Sequence, residues 1–310
     1  MIFLWCTETT VQATTQELKV RQLLKRLNKP AVKSIKMRPS IPPSGLYDKN
    51  EVASKMETSS IHQLWRQNGR CPENTIPIKR TKKEDVLRAS SVERYGKKSH
   101  RTIPNPTSSY SSYMQEIVKG HEVYPNVNGD SNTRLFTYWT QDGYQATGCY
   151  DLKCPGFVQV SNELALGAAI GPVSTYDGPQ YEITLYVWKD PKTGNWWLQY
   201  QNLSPLGYWP SSLFPYLTNG SSMVEWGGEI LNYNTSGEHT TTEMGSGHFP
   251  EEGSGKASFF KNIQIVDQSN NLQAPQGFES FNTTPTCYHV HFADEGYFYY
   301  GGPGRNPNCL

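Results

Sequence analysis

Residues 181–188 read Tyr-Glu-Ile-Thr-Leu-Tyr-Val-Trp, and apolar and polar side chains alternate along most of this stretch. One face carries Tyr181, Ile183, Leu185 and Val187, and the other carries Glu182 and Thr184. A period of two residues is typical of a β-strand that buries one face. The turn signal Asp-Pro-Lys-Thr-Gly at residues 190–194 then leads into a second run, Trp196–Tyr200. The sequence therefore predicts two strands joined by a turn.

Short segments of the same kind recur through the last two thirds of the chain. They are residues 135–140, 157–160, 164–170, 223–231, 257–266 and 288–300, with Gly, Asn and Asp turns between them. Aromatic residues make up 12% of the 310 residues, and the 26 Gly and 21 Pro supply turns. We therefore expect an all-β fold, an antiparallel and jelly-roll-like β-sandwich.

The first third of the chain has a different pattern. Residues 15–28 place leucines at near-helical spacing among basic residues, which predicts a basic amphipathic helix that Pro30 ends. Binding to a membrane surface is an alternative role for such a helix. The Pro-, Ser- and Tyr-rich residues 103–113 predict a domain boundary. We expect a mostly irregular, partly helical segment 1–104 and a β domain 105–310.

Charge is divided between these two parts. Residues 1–105 carry 21 Lys and Arg against 9 Asp and Glu, whereas the rest carries 8 against 19. Opposite charges suggest that the first segment docks on the second in cis. A basic nucleic-acid tail is the rival interpretation, but the basic residues are scattered among apolar ones and no nucleic acid is expected. No stretch is long enough to cross a membrane.

Cysteines and glycosylation sequons favour an oxidising compartment. Of the six cysteines, which include Cys6 and Cys71, Cys149 with Cys154 and Cys287 with Cys309 are spaced for disulfides. Zinc is the alternative for such residues, but no Cys-x-x-Cys supports it. Asn-x-Ser/Thr sequons occur at Asn202, Asn219, Asn234 and Asn282. The apolar start, residues 1–6, is shorter than a signal peptide requires.

The stretch Val224-Glu-Trp-Gly-Gly-Glu-Ile230 is a candidate site. Two glycines let a ligand or a neighbouring backbone approach closely, and an aromatic wall beside Glu229 suits acid–base work in a cleft. On a strand, Glu225 and Glu229 would lie on the order of 13 Å apart, too far to act as a pair. The alternative is a strand whose acids simply face water.

Other sites are weaker candidates. His289 and His291 would share one strand face, and His239 and His248 could complete a metal site, although surface histidines are the simpler explanation. No Gly-x-Ser-x-Gly motif is present for a serine hydrolase, and no cofactor is expected. Exposed Trp side chains could stack on sugars or proline rings in a binding module. The candidates for stacking, for most of which core packing is the simpler role, are Trp188, Trp196, Trp197 and Trp209.

Several segments of the sequence, which extend from about residue 17 to the C-terminus, resemble the plant neprosin family. Residues 63–78 and 80–91 are similar to the neprosin activation peptide. Segments that resemble its peptidase domain are 136–140, 148–152, 194–197, 207–210, 224–230, 244–250 and 300–304. The resemblance implies a β-sandwich glutamic endopeptidase that is made as a zymogen, is secreted or vacuolar, and cleaves after proline at acidic pH. It also implies two catalytic glutamates.

One of these family glutamates falls on Glu229. The other belongs to a motif like Ile-Glu-Ala-Gly-Trp-x-Val-x-Pro, which corresponds here to residues 117–125 and puts Val118 in the place of the acid. Glu116 and Glu122 lie nearby, but neither replaces it simply. Relative to the family, the chain is also short after residue 36 and between residues 105 and 117, so we expect missing sandwich strands and a truncated prosegment. An impaired peptidase is therefore expected, with an inactive peptide- or carbohydrate-binding protein as the alternative.

Overall fold

The computed structural model describes residues 8–28, 30, 37–46, 62–69, 71–72, 74–98, 114–201, 204–231, 237–277 and 279–310. The helices are α1 (Glu8–Leu27), α2 (Lys83–Leu87) and α3 (Pro125–Asn128). The strands are β1 (His62–Gln63), β2 (Glu116–Glu122), β3 (Arg134–Thr140), β4 (Cys149–Tyr150), β5 (Val158–Gln159), β6 (Ile170–Gly171), β7 (Leu185–Lys189), β8 (Trp196–Tyr200), β9 (Gly207–Trp209), β10 (Ser258–Phe260), β11 (Ile265–Val266), β12 (Leu272–Gln273), β13 (His289–Asp294) and β14 (Tyr297–Gly301).

These strands pair in antiparallel sheets, so the predicted all-β class is confirmed. The chain divides into two compact units. The first unit comprises residues 1–38, 62–171 and 195–216, and the second comprises residues 39–61, 172–194 and 217–310. The predicted boundary between residues 104 and 105 lies outside the described residues and stays a prediction.

The first unit is built on the sheet β2–β3–β4 and on the ladder β5–β9–β8. Strand β3 is almost fully buried, although Arg134, Thr137 and Thr140 are polar. Tyr138 in β3 packs edge-on against Tyr150 at 4.8 Å between ring centroids. Trp209 in β9 packs edge-on against Phe157 at 4.7 Å. Large aromatic rings therefore supply much of the core of this unit.

The predicted amphipathic helix is present as α1, and its apolar side chains pack within the first unit. Val20, which is 1% exposed, and Leu23 cluster with Val86 of α2. Leu18, one of the leucines at near-helical spacing, is instead 56% exposed. The buried stripe follows the helical period, and packing against α2 gives this helix its hydrophobic partner.

The second unit contains the sheet β10–β14–β13 and the small ladder β11–β12. Strands β13 and β14 form a hairpin, and a disulfide between Cys287 and Cys309 joins the entrance of β13 to the end of the chain. Ile230 and Met244 pack against this disulfide and Tyr288. The helices among the described residues include none that is long and apolar enough to cross a bilayer.

Several predicted strands differ in the structure. Of residues 164–170 only Ile170 belongs to a strand, β6, and residues 257–266 form two short strands, β10 and β11. Residues 223–231 form no strand, since Gly227 and Gly228 favour irregular backbone and the segment makes no ladder. The alternating stretch 181–188 becomes a strand only at Leu185, because the Tyr181 backbone N–H donates to Ser174 Oγ at 2.8 Å instead of to a neighbouring strand.

Candidate functional site

Glu229 lies in an irregular, exposed segment of the second unit. Glu225, four residues earlier, is also exposed. Between them, Gly228 lies against β14: a Cβ at this position would be 2.7 Å from Met244 Cγ and 3.0 Å from Tyr300 Cε2. A side chain at residue 228 would therefore push this segment away from the sheet, which explains why a glycine precedes Glu229.

The support beneath Glu229 comes from two further segments of the same unit. Met244 exchanges backbone hydrogen bonds with Gly302, at 3.0 and 3.3 Å. Gly301 has φ 145°, and a Cβ there would lie 2.7 Å from His248 O. Three segments that are distant in sequence thus meet at one end of β14, around residues 228, 244 and 301. Their contacts set the position of the segment that carries Glu229.

Strand β2 of the first unit contains residue 118, the position to which the family resemblance assigns the second acid. Val118 stands opposite Tyr138 in the β2–β3 ladder. By alternation Glu116 and Glu122 share a strand face with residue 118. The Tyr144 hydroxyl donates a hydrogen bond to Glu116 Oε2.

Glu122 is half-buried and accepts a hydrogen bond from Asn128 Nδ2 at 3.1 Å. Burial raises the pKa of Glu122 to about 7, and the negative charge of Asp151 adds to the rise. Asn128, Lys153 and Arg134 act in the opposite direction. A carboxyl with such a pKa can hold or release a proton near neutral pH.

Asp151 is a buried acid that sequence reasoning missed. Its Oδ1 accepts from Thr137 N at 3.0 Å, and Lys153 Nζ lies 4.0 Å from its Oδ2. Burial raises the pKa of Asp151, whereas burial and then the charges of Arg134 and Lys153 lower that of Lys79. A cavity of about 40 Å³ lies beside these groups and is lined by residues of both predicted parts of the chain, including Lys79 and Asp151. The sequence Gly-Cys-Tyr-Asp-Leu around this residue contains no pattern that would have predicted its burial.

Two of the histidines considered for a metal site contact glutamates instead of each other. His289 Nδ1 lies 2.5 Å from Glu251 Oε1, and His248 Nδ1 lies 2.9 Å from Glu252 Oε1. His239 lies beside the sulfurs of Cys287 and Cys309, but those sulfurs are bonded to each other and are not thiolates.

Two family sequence models match the chain. The model for neprosin matches residues 99–303, and the model for the neprosin activation peptide matches residues 25–124. The chain belongs to the neprosin family. Together the two matches identify a neprosin-family protease made as a zymogen, with its prosegment in cis. The resemblance predicted from the sequence is confirmed.

Part of the neprosin activation peptide contacts the peptidase domain within the first unit. The Gly96 carbonyl accepts from Tyr150 N at 2.8 Å, and Lys97 Nζ donates to Ala146 O at 2.9 Å. The carbonyl of Pro77 accepts from Gln159 Nε2 at 3.0 Å. All three acceptors are backbone carbonyls, so these contacts use none of the carboxylates of the peptidase domain.

Both predicted disulfides, Cys149–Cys154 and Cys287–Cys309, are present. Cys71 is a free thiol, and Cys6 lies outside the described residues.

The four sequons remain predictions. Asn219 is exposed, whereas Asn282 Nδ2 donates to Tyr288 O at 2.5 Å. Asn202 and Asn234 lie outside the described residues.

The tryptophans proposed for stacking belong mostly to the core. Trp188, Trp197 and Trp209 are fully buried, and Trp196 is half-buried. A half-exposed aromatic surface lies on one face of the sheet β10–β14–β13, where Phe259, Tyr297 and Tyr299 contact each other.

Proposed function

We propose that this protein is a secreted glutamic endopeptidase that cleaves peptides after proline at acidic pH, with impaired activity. The observation that carries the proposal is the neprosin match over residues 99–303, which includes Glu229. Glu229 is the acid that the family resemblance assigns, and its exposure leaves it accessible to a peptide.

Glutamic peptidase chemistry needs two carboxyl groups. One activates water as a general base, and the other protonates the leaving amide nitrogen. An aliphatic side chain at residue 118 can do neither. Loss of a general acid or base typically lowers the rate by about 10² to 10⁴-fold, so slow cleavage is the expected behaviour.

Acid release of the activation peptide fits the buried charges of the first unit. Lys79 of the activation peptide lies in the field of Asp151, whose pKa burial raises. As the pH falls, Asp151 is therefore protonated at a higher pH than an exposed Asp would be. Its protonation removes an electrostatic attraction for Lys79. Secretion agrees with the disulfides and the sequons.

The test is cleavage of a proline-containing peptide by the acid-treated chain between pH 3 and 7, read by mass spectrometry. Slow cleavage after proline should be lost in Glu229→Gln and kept in Glu225→Gln, which removes an equally exposed glutamate four residues away. Equal rates in both variants would remove Glu229 from the mechanism. Wild-type rates typical of an efficient peptidase would refute the impairment.

A binding protein without catalysis is the second candidate, and the aromatic surface of the second unit favours it. The Tyr297 hydroxyl lies 2.5 Å from that of Tyr299, and Tyr299 also lines a depression of about 340 Å³ with His291 and Glu251. Such rings can stack on sugars or prolines. Peptide binding without cleavage that survives Glu229→Gln and is lost in Tyr299→Ala would favour this function.

A further inference from the structure

Gln63 of the activation peptide is a polar side chain with no exposed surface at all. It belongs to β1, which has only two residues and pairs with β6 in the register His62 with Gly171 and Gln63 with Ile170. A two-residue ladder provides little recognition by itself. The burial of a glutamine at this point therefore indicates that its side chain makes the specific contact.

The side-chain amide of Gln63 pairs with one backbone unit of the peptidase domain. Nε2 donates to Ala165 O at 2.7 Å, and Ala165 N donates to Gln63 Oε1 at 2.7 Å. Trp65 Nε1 donates to the same Oε1 at 2.6 Å, and Leu64 N donates to Ala169 O at 3.2 Å. Only a group that donates and accepts side by side satisfies both polar atoms of Ala165.

The receiving segment, residues 164–170, is held in place by the peptidase domain itself. Gly167 N donates to Leu135 O at 2.9 Å, Ile170 N donates to Thr133 O at 3.0 Å, and Gln159 Nε2 donates to Leu164 O at 2.7 Å. The bonds of Gly167 and Ile170 involve only the peptidase domain, whereas Gln159 Nε2 also donates to the Pro77 carbonyl of the activation peptide. The peptidase domain therefore supplies much of the order of this segment before an occupant binds.

We propose that residues 164–170 form a peptide-docking site that selects an extended segment by its glutamine side chain. In this chain Gln63 occupies the site in cis, and a second peptide with the same chemistry competes for it. Glutamate can accept from Ala165 N but cannot donate to Ala165 O when ionised. Asparagine is one methylene too short, and an aliphatic side chain leaves both backbone groups unpaired.

The first test measures hydrogen exchange of the Ala165 N–H in the full-length chain by NMR. Gln63→Ala should speed exchange by about tenfold or more, because the amide loses its acceptor. Gln67→Ala is the matched control, since it removes an exposed glutamine four residues along the same segment. Unchanged protection in Gln63→Ala, or equal loss in both variants, would overturn the proposal.

The second test adds a synthetic peptide of residues 61–69 in trans to the Gln63→Ala chain. The wild-type peptide should restore protection of Ala165, and the same peptide with Gln63→Glu should not. Equal effects of the two peptides, or no effect of either, would refute glutamine recognition. If Gln63→Ala fails to fold, Gln63→Leu takes its place in both tests with the same expected and refuting results, because leucine keeps the volume of the side chain but leaves both polar atoms of Ala165 unpaired.

Discussion

Replacing Glu122 by Gln should change how the stability of this protein depends on pH. The wild-type carboxyl is half-buried, and its pKa rises to about 7 from an ordinary value of 4.5. Glutamine has nearly the same shape, stays neutral, and keeps an oxygen that can accept from Asn128 Nδ2. The substitution therefore removes the titration while keeping the packing and the hydrogen bond.

The magnitude follows from the raised pKa. A rise of the Glu122 pKa from 4.5 to about 7 means that folding favours the protonated over the ionised carboxyl by about 3 kcal/mol. The pKa of Glu122 is higher in the folded state than in the unfolded state. Its contribution to the free energy of unfolding is therefore fully present below about pH 4.5 and is lost as the pH rises through about 7. At pH 8 the wild type should thus be less stable than Glu122→Gln by about 3 kcal/mol, with the difference vanishing near pH 4.

Urea unfolding followed by tryptophan fluorescence at pH 4, 5, 6, 7 and 8 measures this difference directly. The comparison between the two proteins cancels the titration of groups that they share, including the histidines. Parallel curves across this range would show that Glu122 has an ordinary pKa in the folded protein and would refute the reasoning from burial.

Three further predictions concern stability and modification. Cys287→Ala should lower the free energy of unfolding by about 3 kcal/mol, as expected for a disulfide to Cys309 that closes a loop of 22 residues; urea unfolding checks it, and an unchanged midpoint would contradict it. Trp209→Ala should cost about 3 to 5 kcal/mol, because the indole is fully buried, and a loss below 1 kcal/mol would contradict this. Glycopeptide mass spectrometry of secreted protein should find more glycan at Asn219 than at Asn282, whose Nδ2 is hydrogen-bonded; the reverse order would contradict it.

The periodicity and composition of the sequence were sufficient to predict the fold class. Residues 196–200 were predicted as a strand with the observed bounds, and 135–140 differs from β3 by one residue. Both strands lie in the core, where apolar pattern and burial agree. The pattern was insufficient at residues 181–184, where Ser174 supplies a local hydrogen bond in place of a strand partner. Such side-chain competition leaves no periodic trace in the sequence.

The candidate site was only partly predictable. The glycine before Glu229 was recognised as a place of close approach, but the surface it approaches, Met244 and Tyr300, depends on contacts between distant segments. The burial of Gln63 and Asp151 left no sequence signal, because polar residues in short irregular segments usually face water. Tertiary packing decides such cases.

On the function proposed above, this neprosin-family chain retains one catalytic acid, Glu229, and lacks the other at residue 118. The most direct measurement is the rate of cleavage after proline at acidic pH by the acid-treated Val118→Glu chain, compared with wild type. The account predicts a rise of about 10² to 10⁴-fold, which Glu229→Gln in the same chain abolishes. An unchanged rate, or a gain that survives Glu229→Gln, would contradict it.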